Sequence, residues 1–288
     1  MNVVLLLAVA AAAAGGAVGH GVGVWDLLAG GAGKGERPRE LIRSAISPGR
    51  EAFNILPLLA LVVLRAGFPE AWGPFFSSLY PLLILGFLGL VLREVALGFR
   101  KLSQDVTGGG RATVIFGAAS IVAPFCFSAV LGSISSGRVG AGVSVWAACV
   151  NPTSMVFGLL GVAVTALCGA IFLTGDASRQ GAQDLEQYFR NRVMWTGITT
   201  LVVGVGALVV MDLDSTVVLG GMFTVRAFPL AWVALLATVG AATLFWQRAY
   251  LSCRLPTVAG IGCYVAAWGL ALYPYLLPGH LTITQAAR

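Results

Sequence analysis

The chain has 288 residues, of which 58% are hydrophobic and only 10% are charged, so its composition lies outside the range of soluble domains. Its 18 basic and 12 acidic residues could not cover the surface of a 29.8 kDa globule, whereas about eight apolar spans would account for the excess. The net charge of +6 does not indicate a nucleic-acid partner, because Lys and Arg fall between the apolar runs.

Hydropathy predicts an all-α, polytopic integral membrane bundle of about eight transmembrane helices, which form a single membrane domain over 1–288. The first helix is expected to be retained rather than cleaved as a signal, because no Lys or Arg precedes it and its apolar run continues to Val24. The second is short, which favours a tilted or partly covered helix. The helices are predicted near 2–24, 52–66, 74–97, 112–133, 152–173, 193–211, 227–246 and 256–277.

The basic residues predict how the chain is oriented. Four loops, after the first, third, fifth and seventh helices, hold 14 of the 18 basic residues, and short loops rich in Lys and Arg stay in the cytoplasm. Both termini are therefore expected to face outward. The basic residues in these loops are Lys34, Arg37, Arg39, Arg43 and Arg50, then Arg93, Arg100, Lys101 and Arg111, then Arg179, Arg190 and Arg192, and finally Arg248 and Arg254.

Small residues indicate close packing between helices. Gly15, Gly19 and Gly23 recur at every fourth position of the first helix and place a flat stripe on one face. Packing within this chain is the favoured interpretation, and contact with another subunit is the alternative. The cysteines form no C-x-x-C pair and are predicted to be small buried packing residues rather than metal ligands; they are Cys126, Cys149, Cys168, Cys253 and Cys263.

Few ionisable residues fall within the apolar spans, and each is a candidate functional residue because charges are costly in a bilayer. Glu51 and Asn54 share a helical face at the start of the second helix. Helix capping or bundle polarity is the favoured interpretation for this pair, and a proton path is the alternative. Arg93 and Glu94 lie in the third helix. Arg93 and Arg100 also share a face, which favours snorkelling to the headgroups over contact with a partner.

The sequence offers little for cofactor binding or catalysis. Its two histidines, His20 and His280, are predicted to be interfacial or loop residues on opposite sides of the membrane, so they could not share one haem or metal. No P-loop, nucleophile elbow, zinc-protease motif or acidic magnesium cluster is present. We therefore predict no catalytic, cofactor or metal site in this chain, and an autonomous enzyme is not expected.

Several segments resemble, in their order and spacing, subunit II of the cytochrome bd-type quinol oxidases over nearly the whole chain. Family members usually carry two aspartates where this chain has Gly16 and Gly19. Glu51 occupies the place of a family aspartate, Asn54 replaces a glutamate, and Glu94 stands where glycine is usual. The segments that carry the resemblance are 21–23 with 35–37, 68–69 with 77–81, 93–100, 151–152 with 158–160, and 273–278.

The resemblance implies a haem-free, non-catalytic subunit in a bacterial cytoplasmic membrane, where it stabilises a larger subunit I. That partner would hold haem b and haem d, oxidise quinol and reduce dioxygen to water, and small accessory subunits could join the complex. The resemblance also implies a proton path that could involve Glu51, Asn54 and Glu94, and a motif of Arg93 and Arg100 that faces a subunit or lipid. Family members typically have a ninth helix, so this sequence is either truncated or has lost it.

Two other functions stay open. A secondary transporter or permease would show broken helices paired between two halves and buried charges near the midplane. The other alternative is a stand-alone relative that kept the fold and lost the oxidase role.

Overall fold

The structure, a computed structural model, describes residues 2–30, 35–46, 51–103, 110–214 and 216–287. These residues are predominantly helical and are arranged as an all-α bundle, which confirms the predicted fold class. Two of the basic residues used to predict orientation, Lys34 and Arg50, lie outside the described residues.

The bundle consists of long apolar helices joined by short helices and turns. A 3₁₀ turn, Ala52–Ile55, leads directly into α3, and an antiparallel hairpin of β1 (Tyr275–Leu277) and β2 (Leu281–Thr282) follows α11. The helices are α1 (Asn2–Leu27), α2 (Glu36–Ala45), α3 (Leu56–Gly67), α4 (Pro69–Ser103), α5 (Arg111–Ser135), α6 (Val145–Cys149), α7 (Pro152–Arg179), α8 (Gln183–Asp214), α9 (Thr216–Met222), α10 (Phe228–Trp246), α11 (Arg254–Ala271) and α12 (Ile283–Ala286).

Six helices in the described part of the chain, namely α1, α4, α5, α7, α8 and α10, are long and apolar enough to cross a membrane. The other two predicted spans correspond to shorter or less apolar helices. Helix α3 has 12 residues and begins with Pro57 in its first turn, and α11 has 18 residues.

The predicted eighth span, 256–277, is wrong at its end. Helix α11 ends at Ala271, and the residues from Tyr275 onward form a strand that pairs with β2. Pro274 has no N–H to donate and cannot continue a helical ladder. The apolar run therefore extends beyond the helix.

The basic loops predicted after the first and fifth helices, near 30–50 and 175–192, contain helical segments. Helix α2 lies within the first of them and is amphipathic: Leu41 and Ile42 are buried, while Glu36 and Arg37 are exposed. In the second, α7 continues to Arg179 and α8 begins at Gln183, so only a tight turn separates them. Hydropathy detects the apolar part of a helix, and these helices extend beyond it.

Helix α1 lies at the centre of the bundle and packs against α2, α3, α5, α7 and α11. Its closest approach is to α7, where a Cβ on Gly21 would lie only 2.7 Å from the backbone N of Gly169. The predicted glycine stripe also faces other parts of this chain, since Gly15 lies against Phe53 and Gly23 against Ser120. These contacts support the packing interpretation of the stripe.

Candidate functional site

A buried polar cluster lies where α1, α4 and α5 meet the segment before α3. Its central residue is Arg93, whose side chain is fully buried. Arginine keeps its proton in proteins, so its charge has to be balanced by neighbouring groups. We call this group the Arg93 cluster; it consists of His20, Glu51, Asn54, Arg93, Glu94 and Ser120.

Each nitrogen of the Arg93 guanidinium donates a hydrogen bond. Both Nη atoms donate to the Glu51 carboxylate, with 3.1 Å between Nη2 and Oε1. Nη1 also donates to Glu94 Oε1 at 2.8 Å, and Nε donates to Ser120 Oγ at 3.2 Å. The ring of Phe116 completes the pocket, with its centroid 5.0 Å from Arg93 Cζ. The guanidinium is therefore satisfied within the chain.

Asn54 links the two carboxylates of the cluster. Its Nδ2 donates to Glu51 Oε2 at 3.0 Å and to Glu94 Oε1 at 2.7 Å. The sequence predicts that Glu51 and Asn54 share one helical face. In the structure, Asn54 hydrogen-bonds Glu51 and also Glu94 of α4. The result is a continuous polar connection from buried Arg93 to Glu94, whose side chain is 43% exposed.

Gly19 on α1 leaves room for this arrangement. A Cβ at this position would lie 3.1 Å from Arg93 Nη2 and 3.5 Å from Glu51 Oε1. The Arg93–Glu51 pair thus lies against the backbone of α1, in space that a side chain at residue 19 would enter.

The prediction that His20 is an interfacial or loop residue is wrong. His20 is only 7% exposed because α1 continues to Leu27, two turns further on. Its Nδ1 lies 2.8 Å from the carbonyl oxygen of Gly16 and donates to it, because a carbonyl oxygen can only accept. Nε2 is buried and has no hydrogen-bond partner among the described residues.

Arg100, two helical turns beyond Arg93 on α4, forms a second buried ion pair with Asp26. Arg100 donates from Nη1 to Asp26 Oδ2 at 2.7 Å, and its Cζ lies 5.0 Å from the centroid of the same Phe116 ring. The Asp26 side chain is fully buried and that of Arg100 is 9% exposed. Phe116 therefore separates two arginine–carboxylate pairs.

These pairs correct the predicted role of the two arginines. Arg93 and Arg100 do share a helical face, but the face points into the bundle, so neither guanidinium snorkels to headgroups or faces lipid. Each finds a carboxylate from another segment of the chain. Asp26 was missed because the first helix was predicted to end at residue 24; its sequence signal is an acid that directly follows a long apolar run.

Two further ion pairs join helix ends. Asp214 at the end of α8 accepts from Thr153 Oγ1 at 2.6 Å and from Arg138 Nη1 at 3.1 Å. Arg254 at the start of α11 donates to Asp176 Oδ1 at 2.7 Å. Both connect neighbouring helices where their termini meet, so we assign them to the stability of the bundle.

The described residues contain no group of three or more His, Cys, Asp or Glu side chains that could hold a metal ion. Of the cysteines, Cys126, Cys149, Cys168 and Cys253 are buried and Cys263 is half-buried. Burial raises the pKa of the Cys253 thiol to about 11, so this group stays protonated.

The chemistry available in the Arg93 cluster is that of two carboxylates that share one cation and one amide.

Comparison with known proteins gives a family and a fold. The family model described as cytochrome bd terminal oxidase subunit II matches residues 1–288. A solved structure, that of the bd oxidase from Geobacillus thermodenitrificans, superimposes with a TM-score of 0.64 at 11% sequence identity, covering 99% of this chain and 89% of that chain. At this identity the structural likeness shows the fold alone. Among curated proteins, none matches this sequence.

Proposed function

The chain belongs to the family of cytochrome bd terminal oxidase subunit II, and from this membership we propose that it is the haem-free subunit of a membrane quinol oxidase. A larger subunit I holds haem b and haem d, oxidises quinol and reduces dioxygen to water. This chain stabilises that partner in the membrane. The observation that carries the proposal is the family match over the full chain.

The buried chemistry of the described residues supports the haem-free part of the proposal. The histidine within the described bundle, His20, is buried close to the charges of Arg93 and Glu51. In the Arg93 cluster, the guanidinium carries a positive charge and the carboxylates of Glu51 and Glu94 can bind protons.

We propose further that the complex lies in a bacterial cytoplasmic membrane with both termini of this chain outward. The support is the asymmetry of the basic residues, since α2 with Arg37 and the turn after Arg179 lie in loops that the charge rule assigns to the cytoplasm. Lipid and small accessory subunits complete the partners of the proposed complex.

A proton path through the Arg93 cluster is the second part of the proposal. Asn54 bridges Glu51 and Glu94, and Glu94 reaches the surface of the chain. Asn54 donates to both carboxylates and holds them close together, and because an amide does not carry protons, a proton that enters at Glu94 would pass directly between the Glu94 and Glu51 carboxylates. Glycines stand at residues 16 and 19, so the path has no carboxylate on α1 at those positions.

No observation favours the transporter alternative. Pro74, Pro81 and Pro124 lie inside helices that continue past them, so the long helices that carry these prolines are not broken in the way that transporter binding sites require. The buried charges of Arg93 and Arg100 are also paired with the carboxylates of Glu51 and Asp26.

The test is to purify the tagged chain from its native source and record its absorption spectrum. The proposal expects co-purified haem b and haem d bands together with quinol-dependent oxygen consumption. A colourless preparation with no companion protein would contradict the proposal. Substrate flux by the isolated chain in vesicles would support a transporter instead.

A further inference from the structure

A groove between the end of α4 and the start of α5 is lined by apolar side chains. Its volume is about 380 Å³, which is within the range of small-molecule sites. Four of its residues recur at the i, i+3, i+4 and i+7 positions of α4, and two lie one turn apart on α5, so each helix contributes a single face. We call this feature the α4–α5 groove; its lining residues are Leu92, Val95, Ala96, Phe99, Ala112 and Ile115.

The α4–α5 groove opens on the outer surface of the bundle. Its walls are large side chains that remain well exposed, with Phe99 at 63% and Val95 at 48%. Two alanines lie among them, of which Ala96 on α4 is only 3% exposed. Small buried side chains between large exposed ones leave a channel that a narrow apolar chain can enter.

The groove runs inward from one end of two membrane spans. Both α4 and α5 are long and apolar enough to cross a membrane; the first of these spans ends at Arg100 and the second begins at Arg111. From Phe99 back to Leu92 the helix rises roughly 10 Å, which is a large part of the ~15 Å of hydrocarbon in one leaflet. The length and direction of the groove therefore match those of a lipid acyl chain.

A cation lies at the end of the groove where the two spans terminate. Arg111 is the first residue of α5, its side chain is exposed, and it shares a helical face with Ile115, four residues further on. None of the ion pairs found among the described residues involves Arg111. Arg93 and Arg100 on α4, in contrast, are paired with carboxylates inside the bundle. The positive charge of Arg111 is therefore available to a group outside the chain.

A second groove in the described part of the chain does not suit an acyl chain. It lies between α2 and the turn after α7 and has a volume of about 320 Å³. Its lining includes Arg37, Glu40 and Gln180, and Arg37 is already paired with Asp184. An acyl chain there would remove water from polar side chains without replacing their hydrogen bonds.

We propose that the α4–α5 groove binds one anionic phospholipid, with an acyl chain along the apolar side chains and the phosphate against Arg111. Burial of the acyl methylene groups provides the affinity, and the arginine favours an anionic headgroup over a zwitterionic one. The inference goes beyond the proposed oxidase function and does not depend on it, because both parts of the site belong to this chain.

The experiment is native mass spectrometry of the full complex, purified through the tagged chain from its native source and stripped of lipid. The complex is titrated with phosphatidylglycerol, which is anionic, or with phosphatidylcholine, which is zwitterionic. Ala112→Trp fills the groove and is expected to weaken the binding of both lipids roughly tenfold or more. Arg111→Gln is expected to weaken phosphatidylglycerol binding about fivefold and to leave phosphatidylcholine binding unchanged.

Two controls make the same changes outside the groove. Leu201→Trp adds bulk to an exposed residue of α8, and Arg179→Gln removes an exposed arginine at the end of α7; both should bind lipid as the wild type does. Phe99→Ala is a second groove variant in case Ala112→Trp does not assemble. It removes an exposed wall and should also weaken the binding of both lipids, and melting temperatures verify that each variant is folded.

Wild-type lipid binding in both Ala112→Trp and Phe99→Ala would show that the groove does not hold the lipid. If Arg111→Gln affected both lipids equally, or neither of them, the assignment of the headgroup to Arg111 would be wrong. Loss of a companion protein from Ala112→Trp with unchanged lipid binding would show that a protein, rather than a lipid, covers the groove.

Discussion

Arg93 on α4 and Glu51 before α3 form an ion pair in which the arginine side chain is fully buried and the glutamate side chain is 11% exposed. The two residues are separated by 42 positions in the sequence, so their pairing joins α4 to the start of α3. The pair lies beside Gly19 of α1 and thereby connects three segments of the bundle. Four of the five predicted site residues, Glu51, Asn54, Arg93 and Glu94, meet here.

Removal of Glu51 is predicted to destabilise the bundle. Glu51→Ala leaves the buried Arg93 cation with Glu94 as its remaining carboxylate, and breaking a buried pair costs about 3–5 kcal/mol. We expect the lower end of that range, because Glu94 keeps its own hydrogen bond to Arg93. Denaturant titration in mixed micelles measures the change in free energy of unfolding.

The control for Glu51→Ala is the exposed pair of Arg37 and Asp184, whose side chains are 68% and 54% exposed. Asp184→Ala is expected to cost less than about 1 kcal/mol, because solvent screens the charges. Equal costs for the two substitutions would contradict the burial argument.

The pair of Asp26 and Arg100 is predicted to show coupling in a double-mutant cycle. Arg100→Ala leaves the Asp26 carboxylate buried and unpaired, which costs about 3–5 kcal/mol. In the double variant Asp26→Asn with Arg100→Ala, no buried charge is left unpaired, so part of the stability should return. The free energies of unfolding of the two single variants and the double variant measure the coupling, and strictly additive losses would count against the pair.

Close packing between α1 and α7 is tested by substituting two helical glycines. Gly21→Ala places a Cβ against the backbone of α7, including Gly169 N at 2.7 Å, and is expected to cost at least about 1–3 kcal/mol. Gly98→Ala meets nothing within 4 Å and should be neutral or stabilising, because alanine favours helix more than glycine does. Melting temperatures of the purified variants provide the comparison.

Orientation is tested by labelling single cysteines in a cysteine-free background. Arg179→Cys lies at the last residue of α7, next to the turn that leads to α8, and Ala141→Cys lies in the segment between α5 and α6; both positions are exposed. We expect an impermeant maleimide to label residue 141 in intact cells and residue 179 only after permeabilisation. The reverse pattern would invert the proposed topology.

The proton path predicts a specific effect for Asn54. Asn54→Leu removes the bridge between Glu51 and Glu94 without removing either carboxylate, so it should slow oxygen consumption at least severalfold while haem content stays unchanged. The matched control is Asn191→Leu, an exposed asparagine on α8 that bonds Gln187. Wild-type turnover in Asn54→Leu would exclude the bridge from the path.

The positions of the long helices could be predicted from the sequence because an apolar stretch of sufficient length is a local property. The pairing of Glu51 with Asn54 was predictable for the same reason, since residues three apart share a helical face. Asp26 was not among the predicted site residues, because the hydropathy pattern ended the first helix at residue 24 and placed Asp26 in the following loop. The end of α11 at Ala271 was also missed, because the apolar run continues through Pro274 into β1.

The sequence alone therefore determined that this protein is an all-α membrane bundle, since the water-excluding spans follow from composition and length. Only the tertiary structure decided where its charges point. Arg93 and Arg100 face inward because Glu51 and Asp26, which are distant in sequence, lie within hydrogen-bonding distance once the helices pack. A helix is stable in the rotation about its axis that brings each buried charge to a partner of opposite charge. That partner cannot be identified until the positions of the neighbouring helices are known.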